Sequence, residues 1–220
     1  MLILDLSLLL FTELSTFLDR DIIVLENGSF EDNLPRSLRL QYKYCSVVTK
    51  QRNIKGWQVK SGKEIRRCRS NNMQASAVAV GGDVFLWLAL LDHANTCGRQ
   101  EPLLLLHTVD VQFQQGQYTL VFSAQALAQQ HTLEVRVGID GETVMKALAP
   151  LTGTFQTFAL YPIEIAKDDR ELWISFVEVE SECLLDHVYM CWGNSTTGAT
   201  CGTKDTQSNA VFLNATKQST

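Results

Sequence analysis

No excess of basic residues runs through this chain. Lys and Arg number 19 against 24 Asp and Glu, a formal net charge of −5 at neutral pH. That balance argues against a nucleic-acid partner, because binding a phosphate backbone through counterion release needs a cationic surface. The only basic cluster, Arg66, Arg67 and Arg69, reads as a solvated loop. Catalytic patterns are missing as well. There is no Gly-x-Ser-x-Gly elbow, no His-Glu-x-x-His helix and no phosphate-cradling glycine loop. His93, His107, His131 and His187 are scattered without metal-ligand spacing. Asp110, Glu134 and Asp140 form no pair of the kind that flanks a glycosidic bond. No enzyme is expected. Two cysteines spaced Cys-x-x-Cys are also absent, which excludes a zinc ribbon and a thioredoxin-type centre. Nor is there an apolar run long enough to span a bilayer, since Asp5, Glu13, Asp19, Arg20 and Asp21 interrupt the N-terminal stretch.

What is present is globular: 45% hydrophobic and 20% charged residues, a mix that buries a core. A β-sandwich of this length is routinely one domain. Residues 1–25 are rich in Leu, Ile, Val and Phe but have no basic leader and no small-x-small cleavage site, so the segment is expected to be retained. Leu4, Leu8, Phe11, Leu18, Ile22 and Leu25 fall on alternating four- and three-residue steps, a heptad stripe of about three heptads with Ser15 at the polar position. Three uses are open to it: a helix that self-associates, a helix that docks on a neighbour, or part of the core. It is taken as a docking or oligomerisation segment, followed by a β-sandwich over 26–190 and a Cys- and Thr-rich tail over 191–220 that packs on it.

After residue 26 the pattern is short strands and turns. Tyr118, Leu120 and Phe122 share one face of a strand that follows Gln115-Gly116. Leu133, Val135, Val137 and Ile139 alternate with polar neighbours and stop at Asp140-Gly141, a hairpin signal. Phe155, Thr157 and Ala159 continue the series, as do Leu172, Ile174 and Phe176. Residues 84–91 are apolar on both faces, as a central strand covered on both sides would be. The fold class is all-β, a sandwich.

Six cysteines, at 45, 68, 97, 183, 191 and 201, fit three disulfides in a β-rich chain, with the connectivity open. Cys191–Cys201 is the first pairing expected, because Gly193 and Gly198 make the intervening loop pliable. Cys45–Cys68 is the second, which leaves Cys97–Cys183. Six buried thiols acting as small hydrophobes is the other reading. Asn27, Asn194 and Asn214 each begin an Asn-x-Ser/Thr glycosylation pattern.

A resemblance adds to this. Asn27-Gly28-Ser29-Phe30-Glu31 opens the module and Gly56-Trp57-Gln58-Val59 follows. Next come Gly116-Gln117-Tyr118-Thr119-Leu120-Val121-Phe122, then Leu133-Glu134-Val135-Arg136-Val137 with its Asp140-Gly141 turn, then Phe155-Gln156-Thr157-Phe158. Leu185-Asp186-His187-Val188-Tyr189 closes it. In this order the pieces resemble the galactose-binding-like jelly rolls of carbohydrate-binding modules and plant cell-wall proteins, over residues 27–190. The resemblance implies a jelly roll and a structural calcium held by Glu31 and Asp186, where hard oxygen ligands suit that ion. The plainer reading has Asp186 capping a turn and Glu31 bonded to it through solvent. Two departures stand out: His187 replaces the second Asp of the closing motif, and 32–53 is a long insertion.

Sugar recognition needs an aromatic platform with polar side chains beside it. Trp57 and Trp87 read as buried, and Trp192 as packing on a disulfide. Trp173 points opposite Leu172, Ile174 and Phe176, so it is the sugar-stacking candidate, with Glu134 and Arg136 as helpers. Its alternative is a contact with the N-terminal segment or a neighbouring subunit. Two functions follow. The N-terminal stripe favours a non-catalytic structural or assembly protein of a virion surface or extracellular filament, with a homo-oligomer or other structural subunits as partners. The resemblance favours a glycan-binding adhesion module.

Overall fold

The computed structural model describes residues 22–23, 25, 28–32, 45–48, 54–59, 64–70, 80, 82–89, 103–109, 113–167, 172–178, 181–193 and 210–217. The first strands are β1 (Ile22–Ile23), β2 (Ser46–Val48), β3 (Trp57–Val59), β4 (Glu64–Arg69) and β5 (Val84–Ala89). They are followed by β6 (Leu103–Val109), β7 (Gly116–Ala126), β8 (His131–Ile139), β9 (Glu142–Leu151) and β10 (Gln156–Ile165). The last are β11 (Leu172–Glu178), β12 (Cys183–Trp192), β13 (Val211–Leu213) and β14 (Thr216–Lys217). No helix occurs among the described residues.

Two sheets form a jelly-roll sandwich. One has eight strands, ordered β13-β10-β7-β12-β5-β4-β2 with β1 also paired to β12. The other has six, ordered β14-β9-β8-β11-β6-β3. All pairs are antiparallel except β10 with β13. The alternation read from the sequence sets which side chains meet between the sheets. Tyr118, Leu120 and Phe122 of β7 join Leu133, Val135 and Val137 of β8 and Leu172, Ile174 and Phe176 of β11 in one buried cluster. Phe122 contacts Phe158 at 5.4 Å and Phe176 at 5.1 Å between ring centroids, and Trp57 reaches Phe30 at 5.2 Å. Each such side chain taken out of water contributes about 1.5–3 kcal/mol.

β5 lies between β12 and β4 and is buried on both sides, Val84, Leu86 and Leu88 toward the core and Phe85 in a second cluster with Cys68 and Leu184. The Asp140-Gly141 hairpin is formed, with φ of 51° and 88°, the left-handed pair that matches strand twist in a two-residue turn.

Two expectations are corrected. Arg66, Arg67 and Arg69 lie in strand β4 rather than a solvated loop, and Arg67 is only 4% exposed. It is buried because Nη2 donates to the Asp32 carbonyl at 2.6 Å with the charges of Asp32 and Glu31 nearby. Trp87 is half-buried on the outer side of β5, where the Arg66 guanidinium lies 4.8 Å over its ring and Nε1 donates to Glu182. Trp192 follows Cys191 at the end of β12. It is 39% exposed and packs edge-on against Tyr118 at 5.0 Å.

Of the N-terminal stripe, Ile22 is in β1, paired with Cys191 of β12, and Leu25 is buried in the core; Leu4, Leu8, Phe11 and Leu18 lie outside the described residues. At the other end β13 and β14 cross from one sheet to the other, pairing β10 and then β9.

Candidate functional site

The alternation of β11 turns Trp173, Ser175 and Val177 away from the core, onto the outer face of the six-stranded sheet. Register then decides their neighbours. Gly138 of β8 lies opposite Trp173, Arg136 opposite Ser175 and Glu134 opposite Val177. On the far side of β8, Lys146 of β9 is opposite Arg136 and Leu148 is opposite Glu134, and Thr216 of β14 is opposite Lys146. The three residues expected from the sequence, Trp173, Glu134 and Arg136, are thus brought onto one face.

Trp173 sits close over β8 because Gly138 has no side chain. A Cβ placed at Gly138 would sit 1.9 Å from the indole Cε2 and 2.3 Å from Nε1, far inside van der Waals contact. The half-buried indole brings Cε2, Cζ2 and Nε1 over Gly138. Beside it, Glu134 accepts hydrogen bonds from Arg136 and forms an ion pair with Lys146. Burial pushes the Glu134 carboxyl up, but the hydrogen bonds and charges of Lys146 and Arg136 outweigh it and hold the group below the ordinary carboxylate range. Ser175 and Val177 are buried although they point outward, so the face is open mainly at Trp173, Arg136, Lys146 and Leu148. No second carboxylate stands at an outward position of β8, β9 or β11 among the described residues.

Glu31 and Asp186 each bond the backbone just before β5, at Asp83 and Val80. Glu31 Oε1 accepts the Asp83 N–H at 2.6 Å. Asp186 Oδ2 accepts the Val80 N–H at 2.6 Å and its Oδ1 accepts the His187 N–H at 2.7 Å. The His187 ring lies tilted against Tyr189, 4.9 Å between centroids. Oxygen ligands suit calcium, yet here three carboxylate oxygens face N–H donors and the Asp32 carbonyl faces the Arg67 guanidinium. No group of three acidic, His or Cys ligands is gathered among the described residues. As arranged, each of the two carboxylates caps backbone N–H groups of the chain.

Cys45 and Cys68 are joined in a disulfide. Cys191 is disulfide-bonded too, its partner lying outside the described residues, as do Cys97 and Cys201. The Cys97–Cys183 pairing is corrected: Cys183 keeps its thiol, fully buried in the core at the start of β12, opposite Leu88 and Ala126. Asn214 is exposed in the link between β13 and β14; Asn27 and Asn194 lie outside the described residues. Residues that sequence reasoning missed are Lys146, Gly138, Ser175 and Arg67. A Gly interrupting an otherwise regular strand pattern at 138 was the available signal, since such a Gly often marks a close approach.

No protein-family model and no curated protein matches this sequence. Solved structures do match in shape. A family 4 carbohydrate-binding module is 13% identical, with 77% of this chain and 100% of that one covered at a TM-score of 0.40. A family 61 module in complex with β-1,4-galactotriose is 13% identical over 67% and 99% of the two chains, TM-score 0.43. The family 22 xylan-binding domain of a Paenibacillus barcinonensis protein is 14% identical over 68% and 96%, TM-score 0.42.

Proposed function

We propose that this chain is a non-catalytic glycan-binding module whose ligand lies on the outer face of the six-stranded sheet. One observation carries the reading: the Trp173 indole sits over Gly138 at an outward position, beside the Glu134–Arg136–Lys146 cluster. A flat apolar ring takes the C–H face of a sugar, and charged groups next to it take the hydroxyls. The open strip runs across the strands from β11 to β14, about 14 Å at the usual strand spacing, longer than a single sugar ring. Glu134 is bonded to two cations and has no carboxylate partner on this face among the described residues, which supports binding rather than hydrolysis.

The Cys45–Cys68 disulfide supports an oxidising, extracellular setting. A virion-surface or filament role rests on the N-terminal stripe, most of which lies outside the described residues, and nothing in the described residues adds to it.

A broad glycan array tests the proposal. The folded wild-type chain is expected to give signal that Trp173→Ala removes, a change of about 1–3 kcal/mol in affinity, with the melting temperature nearly unchanged. A folded wild type silent on the whole array overturns the reading.

A further inference from the structure

Two cations stand on this face and one anion lies beneath them. The side chains of Arg136 and Lys146 are each 38% exposed, whereas Glu134 is 13% exposed. Glu134 bonds both cations, so it holds them side by side while it is itself largely shielded from water. With two positive groups and one negative, the cluster carries a formal +1 on a chain of −5. Such a chain repels anions at long range, so an outward cationic pair is a local exception to its charge.

We infer that the face takes an acidic glycan: a sugar chain whose carboxylate or sulfate group sits on Arg136 and Lys146 while a ring stacks on Trp173. This rests on the glycan reading of the same face and narrows it. Arg136 directs Nε and Nη2 at Glu134. A guanidinium carries five N–H donors and an ammonium three, so both cations retain donors beyond those given to Glu134. The planar guanidinium matches a carboxylate or sulfate in two parallel hydrogen bonds. Glu134 removes much of the rotamer freedom that binding would otherwise have to freeze. A neutral sugar needs no such pair. Its hydroxyls are served by polar side chains with no net positive charge, and Ser175, the one neutral hydroxyl between Trp173 and Val177 on β11, is 1% exposed.

Binding of the full chain is measured by calorimetry against three oligosaccharides of equal length: an oligogalacturonate, a sulfated galacto-oligosaccharide and a neutral galacto-oligosaccharide. At least one acidic probe should bind about tenfold tighter than the neutral one, the scale of one charge-assisted hydrogen bond. Its affinity should fall as salt rises, the neutral probe's should not. Arg136→Gln and Lys146→Gln should each bring the acidic probe near the neutral level, and Lys167→Gln, after β10, should change nothing. Preference for the uronate alone assigns a carboxylate, for the sulfated probe alone a sulfate ester, and for both any anion. Equal binding of all three overturns the acidic inference and leaves the glycan reading. No binding by folded protein overturns both. Should Arg136→Gln fail to fold, Lys146→Gln and the wild-type salt titration carry the test.

Discussion

At the scale of single residues, Gly138 and Arg67 make the sharpest demands. Gly138→Ala puts a methyl where the indole lies, so Trp173 must lift from the sheet. The expected result is lost glycan affinity close to that of Trp173→Ala, with intrinsic tryptophan fluorescence shifted to the red as the ring gains water. An unshifted spectrum with full binding would show that the platform does not depend on this contact. Burial pulls the Arg67 guanidinium below its ordinary pKa, while the charges of Asp32 and Glu31 push back. It stays charged, and its removal leaves the Asp32 carbonyl without that donor. Arg67→Leu should destabilise the fold by about 3 kcal/mol, the scale for breaking a buried charged contact, read by urea unfolding. Because the acidic groups here already face N–H donors, a calcium chelator should leave the melting temperature where it was. A drop that calcium restores would show that Glu31 and Asp186 turn to a metal.

Strand β12 shows what an element adds. It follows β7 to Asp186, then slips register before resuming at Tyr189, with His187 at φ 50°. That bulge places Val188 N–H on the Gly28 carbonyl at 3.0 Å and leaves His187 half-buried, its Nδ1 without a hydrogen-bond partner among the described residues. Desolvation holds its pKa below the ordinary imidazole value. The sign follows: the unfolded chain binds the proton more readily, so stability falls as pH drops below about 6.5 and levels off below the folded pKa. His187→Gln should flatten that part of the pH profile in thermal melts. The Cys45–Cys68 bridge ties β4 to the start of β2 across 23 residues. Its loss in a Cys45→Ser, Cys68→Ser double variant should cost about 3 kcal/mol through the unfolded chain.

For the whole molecule, the two sheets divide the work. β1 and β13 add to the larger sheet, while the proposed glycan face is built on the smaller one. An assembly role confined to the stripe predicts that removing residues 1–20 leaves oligosaccharide affinity within about twofold, a difference of less than 1 kcal/mol. Sedimentation of the same pair of chains tests the assembly role expected of the stripe, which requires an oligomer that the shortened chain cannot form.

Much of this architecture was legible in the order of residues. Period-two alternation is a local property, enforced by pleat geometry, so the inward faces of β7, β8 and β11, the outward turn of Trp173 and the Asp140-Gly141 hairpin could all be read directly. Pairing across strands is a different matter. Counting back from that hairpin sets Gly138 against Thr143 and would set Arg136 against Met145. A bulge at Val144 shifts the ladder by one, so Met145 packs inward and Lys146 stands opposite Arg136. Nothing local marks that extra residue, yet it creates the cationic pair. The burial of Arg67, the Cys183 thiol and the seat of Trp173 on Gly138 have the same origin. Each depends on which distant strand lies alongside, and that is settled by packing the two sheets together rather than by any one segment's own preference.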